Sequence, residues 1–389
     1  MAPADERPSD PSAGVQDALR RGDLKAALAL ALAAEAAAPA DVALKLQRAM
    51  AHRALGDLPA ALAALDAALG LDPYDFVALL SKAALVERMA GERAAAGLYR
   101  NALSIAPPDE AIPPPLRAPL DRARQVVTRT QAALEDHLRA RTAAVTAEVS
   151  GAARRRFDES VGIFAGRAKV YGQEPLLLHY PRLPAIPFHD RDLFPWFAAL
   201  EAATETIRDE LLGTLEAARD DFSPYIAYPK GAPVNQWGEL NHSPRWSSFF
   251  LWKDGARQDR ACDLCPKTAT LLAGLPMAGQ PGFAPTAMFS ALEARTHIPA
   301  HTGSTNVRLL CHLPLILPGP ARFRVGGETR DWKMGEAWVF DDTIEHEAWN
   351  DADSLRVILI FDIWNPLLDD GERQLVNALL AARQEFFAG

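Results

Sequence analysis

A chain of 389 residues exceeds one ordinary hydrophobic core, and with 49% apolar and 23% charged residues it has the usage of a globular protein of two domains. A formal net charge of −9 excludes the broad basic face that phosphate binding needs, so no nucleic-acid partner is expected, and Arg154-Arg155-Arg156, beside Asp158 and Glu159, reads as a solvated helix face. Three cysteines give no disulfide framework, Met1–Gly14 holds no apolar leader, and the longest apolar run, Ala26–Ala34, is too short for a membrane span, which together predict a cytoplasmic protein.

In chain order, residues 1–13 are polar and rich in Pro and Asp and are expected to be disordered. Residues 14–110 carry a repeat. Pro39, Pro73 and Pro107 recur at a 34-residue step, and Gly22-Asp23, Gly56-Asp57 and Gly91-Glu92 keep nearly the same step. Between Gly and Pro the units read as small-residue helices over Leu24–Ala38, Leu58–Leu71 and Arg93–Ala106. The pattern resembles the tetratricopeptide repeat, two antiparallel helices with a Gly in their turn and a Pro after the second, and the resemblance implies a surface that binds a further peptide. Six prolines from Pro107 to Pro119 end the repeat, and residues 111–170 are expected to form a helical connector dominated by one charged helix over Leu120–Ala152.

Residues 171–389 form the second expected domain. Apolar runs at Thr286–Leu292, Asn306–Leu317, Ala321–Val325, Ala337–Phe340 and Leu355–Trp364, separated by turn signals such as Gly319-Pro320 and Gly326-Gly327, predict short strands of a jelly-roll, and Glu372–Phe387 a closing amphipathic helix. The fold class is therefore α+β and multidomain: a helical solenoid, then a double-stranded β-helix. Cys262 and Cys265 have C-x-x-C spacing, but no second pair or nearby His completes a zinc site, so both are read as structural.

Four of the nine histidines, His297, His301, His312 and His346, fall in the strand-rich region. His301 is placed just before one strand and His346 just after another, with Arg356 at the start of a later strand. Two imidazoles suit a metal, and a strand arginine suits a carboxylate in bidentate contact.

The words around these residues are more specific. His301-Thr302-Gly303-Ser304-Thr305-Asn306-Val307-Arg308, Phe340-Asp341-Asp342-Thr343-Ile344-Glu345-His346-Glu347, Phe361-Asp362-Ile363-Trp364-Asn365-Pro366 and, upstream, Trp246-Ser247-Ser248-Phe249-Phe250-Leu251-Trp252 with Cys262–Leu272 after it resemble the aspartyl/asparaginyl β-hydroxylase family over roughly 175–366. The resemblance implies an enzyme that uses Fe(II), 2-oxoglutarate and O2 to hydroxylate the β-carbon of aspartyl or asparaginyl residues in a peptide or protein. It further implies His301 and His346 as metal ligands and Arg356 as anchor for the far carboxylate of 2-oxoglutarate, with Ser290 bonded to that carboxylate. His312 is implied beside the near carboxylate, with Arg308 and Trp246 on the substrate side.

Two features qualify that picture. The family pattern carries a further arginine at position 310, where this chain has Leu310, so the implied carboxylate clamp is incomplete. Most non-haem iron oxygenases add a carboxylate to two histidines; here Gly303 occupies that position, which the family shares, and the resemblance implies a water held by Asp341 or Asp342. An aspartate at 303 would on this reading reach the metal. Other readings are a hydroxylase of a small molecule or lipid acyl chain, a halogenase with chloride in the gap, and a repeat adaptor with a degenerate oxygenase domain.

Overall fold

The computed structural model describes residues 11–388, and the chain divides into two compact units at Ala168/Lys169. The disorder expected for 1–13 falls, for residues 1–10, outside the described residues; residues 11–13 instead open the first helix. The first unit is helical throughout: α1 (Pro11–Arg20), α2 (Leu24–Ala37), α3 (Val42–Ala54), α4 (Leu58–Leu71), α5 (Phe76–Ala90), α6 (Glu92–Ser104), α7 (Pro114–Thr146) and α8 (Gly151–Phe164).

The repeat is a stack of three helical hairpins whose turns are chemically specified. Gly22, Gly56 and Gly91 take φ of +76°, +83° and +87°, a region that costs an L side chain strain, and so end α1, α3 and α5. The aspartates that follow two of them cap the next helices: Asp23 accepts from the Ala26 N–H and Asp57 from the Ala60 N–H, both at 3.1 Å. Each such cap stabilises its helix by about 1 kcal/mol. Alanines at helical spacing (Ala27, Ala31 and Ala34; Ala61, Ala64 and Ala68) are buried, which lets neighbouring helices approach closely. Beyond the repeat the expected helix from Leu120 to Ala152 is two: α7 begins earlier, at Pro114, with Pro119 inside it, and stops at Thr146, before α8 restarts at Gly151 with φ +64°. Pro119 is the sixth residue of α7, past the four N–H groups that lack an intrahelical acceptor, so the helix forgoes one hydrogen bond there.

The second unit has two helices ahead of its first strand, α9 (Phe197–Ala202) and α10 (Thr204–Ala217), two more after its third, α11 (Asp259–Leu264) and α12 (Pro266–Ala273), and ends in α13 (Asp370–Ala388). Its strands are β1 (Ser223–Pro224), β2 (Trp246–Lys253), β3 (Ala256–Arg257), β4 (Ala287–Leu292), β5 (Thr296–His301), β6 (Arg308–Ile316), β7 (Ala321–Val325), β8 (Glu328–Asp331), β9 (Trp338–Phe340), β10 (His346–Asn350) and β11 (Arg356–Trp364). One sheet runs β1-β2-β4-β11-β6-β9, with β3 on β2; the other runs β5-β10-β7-β8; every pairing is antiparallel. The chain passes between the two sheets in the order of a double-stranded β-helix, as the strand pattern predicts.

Strand alternation divides the long sheet into two faces. On β4, β6 and β11 the residues Phe289, Leu309, Cys311, Leu313, Leu359 and Phe361 pack against Phe197, Leu200, Ile207, Leu211 and Leu272 of the helices. Cys262 and Cys265 lie in this same core as free thiols, the Cys265 sulfur 3.2 Å from the Thr214 hydroxyl, which bears out their structural reading. The intervening residues Met288, Ser290, Arg308, Leu310, His312, Arg356, Ile358, Ile360 and Asp362 face a cavity between the two sheets.

Candidate active site

The cavity has a volume of about 270 Å³ and collects all seven residues singled out in the sequence: Trp246, Ser290, His301, Arg308, His312, His346 and Arg356. Two placements differ in detail from expectation. His301 is the last residue of β5 rather than a residue before a strand, and His346 is the first residue of β10 rather than one trailing a strand. They are direct partners in the β5–β10 ladder, with ring centroids 4.1 Å apart.

Their tautomers follow from the backbone. His301 Nδ1 lies 2.7 Å from the Pro299 carbonyl and His346 Nδ1 3.0 Å from that of Ile344. A carbonyl only accepts, so each Nδ1 carries the hydrogen and each Nε2 keeps a lone pair. Burial lowers the pKa of both rings, well below the ordinary value for His346, where the neighbouring His301 adds to the effect. Two neutral imidazoles with oriented Nε2 atoms are the donor set of a metal site. Among the described residues no group of three or more His, Cys, Asp or Glu side chains is placed to hold a metal ion.

Gly303 lies beside this pair and against Asp342, so an aspartate there would have to displace the Asp342 carboxylate on its way to the metal. A Cβ at Gly303 would fall inside the carboxylate of Asp342, whose backbone oxygen also accepts the Gly303 N–H. The two candidates for the supporting carboxylate separate clearly. Asp341 is committed to the fold, accepting from Gln173 (2.6 Å) and from the Thr343 N–H (3.0 Å) and hydroxyl (2.6 Å). Asp342 faces the cavity, is 6% exposed, and keeps Oδ1 without a partner. Burial pushes its pKa up to about 8, against the pull of Arg308.

Deeper in, Arg356 is 1% exposed, and its Nε and Nη1 have no acceptor. Burial lowers its pKa to about 9; its guanidinium lies over the Trp332 ring at 4.6 Å. A buried cation without a counter-charge is costly by several kcal/mol, and a bound anion is the natural remedy. His312, whose Nδ1 is likewise unpartnered, is held neutral by burial and by the nearby Arg356 charge. Ser290 Oγ accepts from Trp246 Nε1 at 3.1 Å, which leaves the serine hydroxyl hydrogen free to donate. These orphaned donors fit a small dicarboxylate, and the two imidazoles fit the metal that the sequence implies.

Three features of the cavity escaped the sequence reading. Trp332, under Arg356, is an isolated aromatic in a polar stretch and left no local signal. Tyr225 stacks on Trp246 at 4.3 Å from a segment without pattern. Asp362 did leave one, as a lone carboxylate in the apolar run of β11; it is 2% exposed and pairs with Arg308 at 2.8 Å. Arg308 thus already has a counter-ion.

The sequence model of the Aspartyl/Asparaginyl beta-hydroxylase family matches residues 201–366, the stretch that holds the cavity. Residues 201–366 thus carry the sequence pattern of the aspartyl/asparaginyl β-hydroxylase family. The human aspartyl/asparaginyl beta-hydroxylase is 36% identical over 191 residues, 48% of this chain and 24% of that protein. The ornithine lipid ester-linked acyl 2-hydroxylase of Rhizobium tropici is 35% identical over 199 residues, 50% of this chain and 66% of that protein. The chain thus spans about a quarter of the human family member. Among solved structures, the Sgt2 TPR domain from Aspergillus fumigatus is similar at 20% identity with a TM-score of 0.27, covering 33% of this chain and 85% of that one. No helix among the described residues is long and apolar enough to cross a membrane.

Proposed function

We propose that the second unit is an Fe(II)- and 2-oxoglutarate-dependent hydroxylase acting on the β-carbon of an aspartyl or asparaginyl residue in a peptide or protein. The observation that carries this reading is the pairing of two oriented imidazoles with a buried, unpartnered arginine in one cavity. The overall reaction balances as substrate C–H plus 2-oxoglutarate plus O2 giving substrate C–OH, succinate and carbon dioxide. Iron would supply the activation of dioxygen, held by His301 and His346 through Nε2. Arg356 binds the far carboxylate of 2-oxoglutarate, with the Ser290 hydroxyl donating beside it, and His312 lies at the near carboxylate. The Trp332 face holds the guanidinium in place when it has no anion. Trp246 and Trp237 wall the substrate side and keep water from the reacting carbon.

The relatives' names point to one shared chemistry. An aspartyl or asparaginyl β-carbon and the 2-position of an acyl chain are each a methylene bonded to a carbonyl carbon. The peptide reading is favoured because a helical-hairpin repeat stands on the same chain, and such a repeat offers a surface for an extended peptide. The three free, buried cysteines suit a cytoplasmic setting.

Succinate release and product mass, measured with Fe(II), 2-oxoglutarate and a peptide library, test the proposal. Succinate formation coupled to addition of one oxygen is expected. Absence of any 2-oxoglutarate turnover under anaerobic iron loading followed by air would sink it.

A further inference from the structure

Resting on the hydroxylase reading, we infer that the site selects an uncharged carboxamide next to the reacting methylene, so that an asparaginyl side chain is accepted and an aspartyl side chain disfavoured.

Arg308 and Arg356 are the two guanidiniums among the described residues lining the cavity. Arg356 belongs to the cosubstrate end, which leaves Arg308 as the cation for a substrate group. That cation is already spoken for: Arg308 Nη1 donates to Asp362 Oδ2 at 2.8 Å and to the Phe283 carbonyl at 3.2 Å. The pair is well buried, with 14% and 3% of the two side chains exposed. Asp342 lies within electrostatic reach of the same guanidinium. A substrate carboxylate here would be a second anion competing with Asp362 for one cation in a desolvated cavity, where like charges repel far more than in water. Leu310, one alternation along β6, adds an apolar wall where another cation would have eased that repulsion.

Two polar atoms beside this ion pair remain free and buried: the Arg308 Nε donor and the Asp342 Oδ1 acceptor. A carboxamide offers both complements, an oxygen that can accept from Arg308 and an N–H that can donate to Asp342. An acyl ester lacks the N–H and leaves Asp342 unpaired.

The test uses the full chain with Fe(II) and 2-oxoglutarate and three probes: degenerate peptides with a fixed central Asn, the same peptides with a fixed central Asp, and a long-chain acyl ester. Succinate and product mass report turnover. Trp237 and Trp246 fluorescence in metal-free protein reports peptide binding without turnover. The Asn peptides are expected to exceed the Asp peptides by about tenfold in both readouts. Asp362→Asn, checked for an unchanged melting temperature, frees Arg308 and should move that ratio about tenfold toward Asp. Leu310→Arg, which leaves the ion pair intact, should move it the same way. Equal or better use of the Asp peptides overturns the inference, as does a ratio unmoved in both variants. Turnover of the acyl ester alone also overturns it while the hydroxylase reading stands. Absence of succinate in every arm defeats the hydroxylase reading, and the fluorescence ratio then still decides for or against carboxamide selection.

Discussion

His346 and His301 face one another across the β10–β5 ladder, the first residue of one strand against the last of the other, with ring centroids 4.1 Å apart. Two strand ends in register bring two imidazoles together without help from any loop. Anaerobic Fe(II) titration should therefore give one metal per chain, lost in His301→Ala and in His346→Ala, with far-ultraviolet circular dichroism unchanged. Undiminished binding in either variant would remove that residue from the metal site.

Arg356 has a double consequence. In the cosubstrate-free protein its charge is buried without an acceptor, so Arg356→Met should raise the melting temperature. The same variant should weaken 2-oxoglutarate by about 1.5–3 kcal/mol, the worth of a charge-assisted contact, and lose the thermal shift that 2-oxoglutarate gives the wild type. Thermal melts with and without cosubstrate check both signs. A variant that is less stable and binds 2-oxoglutarate normally would show that Arg356 is structural.

Gly303 and Asp342 should behave as a coupled pair. Gly303→Ala places a methyl inside the Asp342 carboxylate and should cost about 1–3 kcal/mol through overpacking. Asp342→Ala removes the clashing atoms, so the double variant should recover much of that loss in a double-mutant cycle. Additive effects would mean that the two side chains do not meet. Because the carboxylate occupies this space, chloride at high concentration should leave the product one of oxygen addition, read by mass spectrometry.

The helical unit contains its own pH-dependent element. Glu87 accepts from the buried Tyr99 hydroxyl at 2.6 Å and from Arg122 Nε at 3.0 Å. The Arg122 hydrogen bond holds the Glu87 carboxyl below its ordinary 4.5, so its stabilisation is complete above that pH and is lost as pH falls through the lowered value. Glu87→Ala should cost about 1 kcal/mol at neutral pH and flatten the acid limb of the helical transition, followed by circular dichroism. An acid limb identical to the wild type would refute the assignment.

The repeat was legible because its signals are local. A Gly at positive φ and an Asp cap act within one turn of chain, so helices expected over Leu24–Ala38 and Leu58–Leu71 are found at Leu24–Ala37 and Leu58–Leu71. The strands β4, β6, β7, β9 and β11 were legible for a similar reason, as alternating or continuous apolar runs, and the motif words contain Trp246, His301, Arg308 and His346 of the cavity. By contrast β5, β8 and β10 are polar or mixed, as in Thr296–His301 and Glu328–Asp331, and take their extended form from ladder partners. The relations that give the cavity its chemistry are longer still. Arg308 meets Asp362 across 54 residues, and Gly303 meets Asp342 through sheet closure. Residue types and motifs determined which side chains could serve a metal and an anion. Register and closure decided which of them share a cavity, because a one-residue slip on β6 or β11 would send Arg308, His312, Arg356 and Asp362 to the helix-packed face.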